Sequence, residues 1–131
     1  GLGSDHTDRK AEALGVALSK QLCPKPVGAQ LWRLADVAAH WDDLTFASYA
    51  IEGGERRLYQ QGKASALLPP NDLLRRWNRD GLPVGTAMFC GTYATIGEIK
   101  PADEWELVLT DPVLGRTLSH RYAVRPLPVV A

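Results

Sequence analysis

The sequence lacks most of what would mark a specialised class. It has no surplus of charge: fifteen Lys and Arg residues are balanced by fifteen Asp and Glu. That balance excludes the broad basic field of a protein held mainly by nucleic-acid phosphates or anionic lipid. It has no long hydrophobic run. The longest, Ala13 to Leu18, contains a glycine and falls far short of the ~20 residues a membrane helix needs. The two cysteines, Cys23 and Cys90, have no CxxC spacing and are too few for a disulfide framework. They read as thiols in a reducing cytoplasm, with a single bridge between them left open. The phosphate-binding patterns GxxxxGK[ST] and GxGxxG are missing, as are HExxH, a Ser-His-Asp order and paired-cysteine metal spacing. The opening residues Gly1 to Asp5 carry neither the basic nor the apolar part of a signal peptide and no initiator Met, which suggests a shortened N-terminus.

What is present is a globular composition, with 45% apolar and 23% charged residues in 131, enough for one domain over residues 1–131 with its own core. A helical pattern runs from Thr7 or Asp8 to Leu22, with Ala11, Leu14, Leu18 and Leu22 on one stripe, and Pro24 and Pro26 stop it. A short helix is expected over Asp36–His40. Strand residues follow from Leu44 to Tyr49, and Glu52-Gly53-Gly54-Glu55 turns the chain into a partner strand, Arg56–Gln60. A third helix fits Asn71–Arg79, capped by Asn71 or Asp72, with Leu73, Leu74 and Trp77 inward. Thr86–Cys90 reads as a strand and Gly91–Gly97 as a loop. Glu104–Thr110 and Arg116–Val124 alternate cleanly about the turn Asp111-Pro112-Val113-Leu114-Gly115, and so predict an antiparallel hairpin with Trp105, Leu107 and Leu109 inward. The fold class is mainly β with short helices, an α+β domain.

Candidate chemistry concentrates at Ser4-Asp5-His6-Thr7-Asp8-Arg9, where two carboxylates, an imidazole and two hydroxyls precede a helix. Such a group can serve a hard divalent cation, or it can simply cap the helix. Lys20 is a surface lysine if the first helix reaches Leu22, and faces a site if the chain is extended from Lys20 on. In the loop from Gly91-Thr92 to Ile96-Gly97, a glycine lets a ligand approach the backbone and Thr92 offers a hydroxyl. Glu104 and Glu106 share a strand face, but Trp105, Leu107 and Leu109 claim the buried side and leave the acids to solvent. His40 and His120 stand alone.

Three of these segments, in order, resemble the catalytic domain of the fumarylacetoacetate hydrolase superfamily. Asp5-His6-Thr7-Asp8-Arg9 is similar to its Asp-x-[Ser/Thr]-x-Arg motif. Ser19-Lys20-Gln21 with Cys23-Pro24 and Val27-Gly28 is similar to its lysine strand and following turn. Phe89-Cys90-Gly91-Thr92 to Ile96-Gly97 is similar to its late strand and loop. The resemblance implies a mixed β-sandwich roll, incomplete here, because the superfamily's Glu-x-Glu pair would precede Gly1. It implies a Mg2+ or Mn2+ site, weak or absent in this chain, and a hydrolase or lyase acting on a small 2-oxo or 1,3-dicarbonyl acid by C–C hydrolysis, decarboxylation or isomerisation. Carried over by motif, Asp5 is the metal ligand, Lys20 the catalytic charge stabiliser, and Arg9, Gly91 and Thr92 are substrate contacts. A homodimer is implied by analogy with relatives.

Two further expectations follow. Asp5, Lys20 and the Gly91–Thr92 loop should converge within roughly 12 Å, given metal–oxygen bonds of about 2.0–2.1 Å and a small substrate between them. A roll lacking its first half should leave an exposed apolar patch or pair with another chain. The alternative to an enzyme is a non-catalytic fragment or subunit that binds a small molecule or a partner chain.

Overall fold

The structure, a computed structural model, describes residues 1–77 and 81–126. Four strands, β1 (Thr45–Glu52), β2 (Glu55–Lys63), β3 (Glu104–Asp111) and β4 (Arg116–Ala123), form one antiparallel sheet in the order β2-β1-β3-β4. The β1–β2 turn is closed by Gly53 and Gly54 at φ 56° and 84°, the left-handed pair that a two-residue hairpin turn requires. Register then sorts the faces. Phe46 lies opposite Leu109, Ser48 opposite Leu107 and Ala50 opposite Trp105; Leu109, Leu107 and Trp105 lie in turn opposite Leu118, His120 and Tyr122. This inner face carries the apolar side chains, as the alternation of β3 and β4 predicts.

The outer face is polar and laced across strands. Arg121 bonds Glu104 at 2.6 Å, and Arg56 bonds Glu106 at 2.7 Å while lying 3.2 Å from the centre of the Tyr49 ring. The two glutamates that share this face are therefore both engaged by arginines. A bulge between Ser48 and Tyr49 inserts Tyr59 into β2, where it packs with Ala50, Ala102 and Trp105.

The inner face is covered by the N-terminal segment and by the connection between β2 and β3. Leu2 and Trp32 close over Leu107 and Leu118, and Val37 packs with Leu44 and Ala64. Tyr93 stacks on Phe46 at 5.3 Å and lies over Gly62, where a Cβ would sit 2.2 Å from its ring. At the β3–β4 turn Asp111 is fully buried. Its carboxylate accepts from the Val113 and Leu114 amides and from Arg116 Nε, all at 3.1 Å, and His40 Nε2 lies 3.0 Å away. Burial alone would raise this carboxyl, but the His40, Leu114 and Arg116 contacts outweigh it and hold its pKa at about 2.

Several expectations are corrected. The single helix from residue 7 or 8 to 22 is two helices, α1 (Arg9–Glu12) and α2 (Val16–Gln21). Asp8 caps α1 by accepting from the Lys10 and Ala11 amides. Ala11 O then takes both the Leu14 and Gly15 amides, which closes the helix ahead of a glycine that helices disfavour. The expected apolar stripe turns outward: Leu14 is 82% exposed and Leu22 60%, while Ser19 is fully buried. The second helix, α3, is Leu34–Val37 and runs into a 3₁₀ segment, Ala38–Asp43. The helix expected from Asn71 begins at Pro70 (α4, Pro70–Trp77), with Leu73 and Trp77 half-buried and Leu74 exposed; its expected end at Arg79 lies outside the described residues.

Thr86–Cys90 forms no strand. Its neighbours Pro83 and Gly85 favour a turn, and its backbone makes isolated bonds, Thr86 N–H to Pro83 O and Leu68 N–H to Cys90 O, in place of a ladder. The mixed sandwich roll is likewise not confirmed. The described strands make one sheet, antiparallel throughout, in a small α+β protein.

Candidate active site

The N-terminal segment is tied to the turn after α2 by one isolated bridge, Gly3 opposite Val27, flanked by Ser4 N–H to Pro26 O (3.0 Å) and Gly28 N–H to Leu2 O (2.9 Å). These bonds bring Asp5 and His6 between the end of α2 and one end of the inner sheet face. Lys20, in the last turn of α2, reaches back to Asp5: its Nζ lies 2.8 Å from Oδ2 and donates to the Asp5 carbonyl at 3.3 Å. Lys20 is thus both helical and directed at Asp5. The break at Gly15 lets α2 present Ser19 and Lys20 to the N-terminal segment.

The other carboxylate oxygen faces Lys25, whose Nζ lies 3.2 Å from Asp5 Oδ1. Partial burial acts to raise the Asp5 carboxyl, but the Lys20 and Lys25 ammonium groups outweigh it and hold the pKa below its ordinary value. Beside this cluster, His6 Nε2 and the Tyr122 hydroxyl are 2.7 Å apart. The His6 ring stands edge-on to Tyr122 at 5.6 Å and to Trp105 at 6.3 Å, and the His120 ring lies 5.3 Å from that of Tyr122. Burial, then the nearby Lys25 charge, lowers the His6 pKa, with Asp5 acting the other way. Burial raises Tyr122, against a contact with Ser4. The pair therefore favours a neutral imidazole and a protonated phenol.

The structure brings Asp5 and Lys20 together, while the other expected residues make their contacts with other partners. Arg9 is exposed on α1 and pairs with Glu12 at 2.9 Å. Thr92 Oγ1 accepts from Gln60 Nε2 at 3.0 Å, and Gly91 lies against Leu67; among the described residues no hydrogen bond or ion pair joins them to Asp5 or Lys20. The residues that sequence reasoning missed are Lys25 and Tyr122. The only signals were a lysine set between two prolines and a tyrosine on the apolar face of an alternating strand. An open cleft of about 290 Å³, lined by His40, Trp41, Asp42, Asp43, Pro69 and Asn71 among others, lies elsewhere and contains none of these groups.

The donor set does not fit a Mg2+ or Mn2+ ion. Such an ion needs several oxygen ligands, yet both Asp5 oxygens face ammonium groups. Among the described residues no group of three or more His, Cys, Asp or Glu converges.

Comparison with curated proteins and with solved structures finds no match. Comparison with protein families finds one that spans nearly the whole chain, and it is not the fumarylacetoacetate hydrolase superfamily, so that resemblance is corrected. The segments that carried it have local uses: Asp8 caps α1, and Thr92 is held by a β2 side chain. The chain belongs to the family described as Protein of unknown function (DUF2848), which matches it over residues 1–122.

Proposed function

We propose that the Asp5–Lys20–Lys25 cluster, with His6 and Tyr122 beside it, takes a small 2-oxo or 1,3-dicarbonyl acid and acts on it as a hydrolase or lyase. The observation that carries this reading is the charge count of the cluster. Two ammonium groups share one carboxylate, at 2.8 and 3.2 Å, and all three side chains are about one-third exposed. One positive charge is left over, so a second carboxylate is electrostatically welcome there.

C–C hydrolysis, decarboxylation and isomerisation of such acids all develop negative charge on an enolate oxygen, which a positioned ammonium stabilises. In this reading Lys20 supplies that charge, His6 in its neutral form accepts a proton, and Tyr122 keeps its proton and donates it. The free thiols of Cys23 and Cys90 support a cytoplasmic setting. No described helix is long and apolar enough to cross a membrane.

Calorimetric titration with pyruvate tests the reading. The expected result is measurable binding to the wild type that weakens at least about tenfold in Lys20→Met, a loss of about 1.4 kcal/mol, and is unchanged in Arg9→Ala. Absence of binding, or binding indifferent to Lys20, would overturn it.

A second reading is favoured by the outward-facing apolar side chains of the α1–α2 region, Leu14, Val16, Leu18 and Leu22. Clustered exposed leucines mark contact surfaces, which supports a partner-binding subunit or a homodimer. Sedimentation equilibrium decides it. A dimer lost in Leu14→Ser/Leu22→Ser supports the reading, and a monomer at all concentrations removes the homodimer.

A further inference from the structure

Lys25 makes more contacts than any other charged side chain in the N-terminal segment, and most of them are not with charge. Its Nζ donates to His6 O at 3.0 Å, to Cys23 O at 3.0 Å and to Lys20 O, and it lies 3.2 Å from Asp5 Oδ1. Three backbone carbonyls and a carboxylate thus surround one ammonium. The carbonyls come from three places in the chain: the residue after Asp5, the last turn of α2, and the turn that follows it. Lys20 O lies in the last turn of α2, where it already accepts the Cys23 amide at 3.4 Å, and carbonyls at a helix C-terminus carry partial negative charge that favours a cation. Pro24 and Pro26 on either side of Lys25 fix the local backbone direction.

We infer that Lys25 is a tethered cation: its ammonium fills an oxygen cage that would otherwise suit a free monovalent cation, and by doing so it positions Asp5 and Lys20. The cage explains why a six-residue helix followed by two prolines keeps its end in place. The ammonium ties the carbonyl of Lys20 and the carboxylate of Asp5 to one point, and the Lys20 side chain is left to meet Asp5 from the other side. Lys25 acts through these two residues and is a positioning residue. The naming of what it positions rests on the proposed oxo-acid site; the cage itself does not.

The cage predicts chemical rescue. Lys25→Ala removes the ammonium and leaves a channel from solvent, since the side chain is 32% exposed. The variant should melt roughly 5–10 °C below the wild type, as expected for the loss of hydrogen bonds from a charged donor. Ethylammonium or potassium chloride should restore at least about half of that loss, while choline chloride at the same ionic strength should not. A melting temperature equal to the wild type's, or a loss that every salt or none reverses, overturns the inference.

Should Lys25→Ala not fold, the wild type decides by the NMR signal of its lysine ammonium groups. Slowed proton exchange at Lys25 relative to the exposed Lys10 supports the cage, and equal exchange overturns it. Rescue of Lys25→Ala, or slowed exchange at Lys25 in the wild type, together with a wild type that does not bind pyruvate, removes the oxo-acid reading and leaves the tethered cation standing.

Discussion

Between Thr45 and Ala123 the strands are paired along their length and bury Ala50, Leu107 and Leu118. Residues 1–31, by contrast, hold two helices of four and six residues and one isolated bridge. The sheet is held by a ladder and an apolar face, whose stabilisation grows with area. The N-terminal segment turns much of its apolar surface outward and is held by polar tethers: the Asp8 cap, the Ser4 and Gly28 backbone bonds, and the ammonium of Lys25. A sheet of this kind spreads its stability over many buried side chains. A tethered segment concentrates its geometry in a few groups, and those groups include the ones available for chemistry.

The comparison breaks first at the sheet. Leu107, 3% exposed on a central strand, is expected to cost about 2–5 kcal/mol on change to Ala, from lost transfer energy and a residual cavity. Urea denaturation measures this, and a cost below about 1 kcal/mol would mean that the sheet face is not the main core.

The next effect belongs to the hairpin turn. Asp111 has its pKa depressed from 3.8 to about 2, so the stability it confers is fully present above about pH 4 and is lost as pH falls towards 2. Thermal melts across that window should show a slope that Asp111→Asn flattens, with a lower melting temperature for the variant at neutral pH. An unchanged acid slope would contradict the assignment.

A smaller effect is expected at His6. Its folded-state pKa is lowered from 6.5, chiefly by burial and then by Lys25. The folded protein therefore binds fewer protons than the unfolded chain below neutrality, and the associated stability is present above pH 6.5 and declines on acidification through the folded pKa. NMR titration of the His6 ring should give a midpoint below 6.5, moving upward in Lys25→Met. A midpoint at or above 6.5 in the wild type would mean that the ring is not packed against Tyr122 and Trp105.

The smallest effect sharpens the contrast. Leu14→Ser, at a position 82% exposed, should change stability by less than about 0.5 kcal/mol. A larger loss in a monomer would show that this leucine is packed after all.

The difference between the two regions also explains what could be read in advance. The hairpins were legible because Trp105, Leu107 and Leu109 alternate with Glu106 and Val108, and because Gly53-Gly54 and Asp111-Pro112 punctuate the turns; period and punctuation agree there. The broken helix was not legible. The residues that face inward are the small Ala11 and Ser19, whereas the leucines that set the helical period face out.

The site was half legible. Asp5 and Lys20 stand out as a carboxylate and a lysine at the two ends of one structural unit. That Lys25 folds back onto three carbonyls depends on the path of the turn through Pro24 and Pro26, which no spacing rule supplies. Tyr122 is one more residue on an apolar strand face until His6 is placed 2.7 Å from it. The Asp111 network was hidden for the same reason, since its partner His40 comes from a distant 3₁₀ segment.

The claim that a small oxo acid is taken at the N-terminal cluster is tested most directly by mapping where pyruvate lands, through backbone amide and lysine ammonium shifts recorded over a titration. The account predicts the largest changes at Asp5, His6, Lys20 and Lys25, a secondary change at Tyr122, and none at Thr92. Changes confined to the cleft around Asp42 and Asp43, or no change at any concentration, would contradict it.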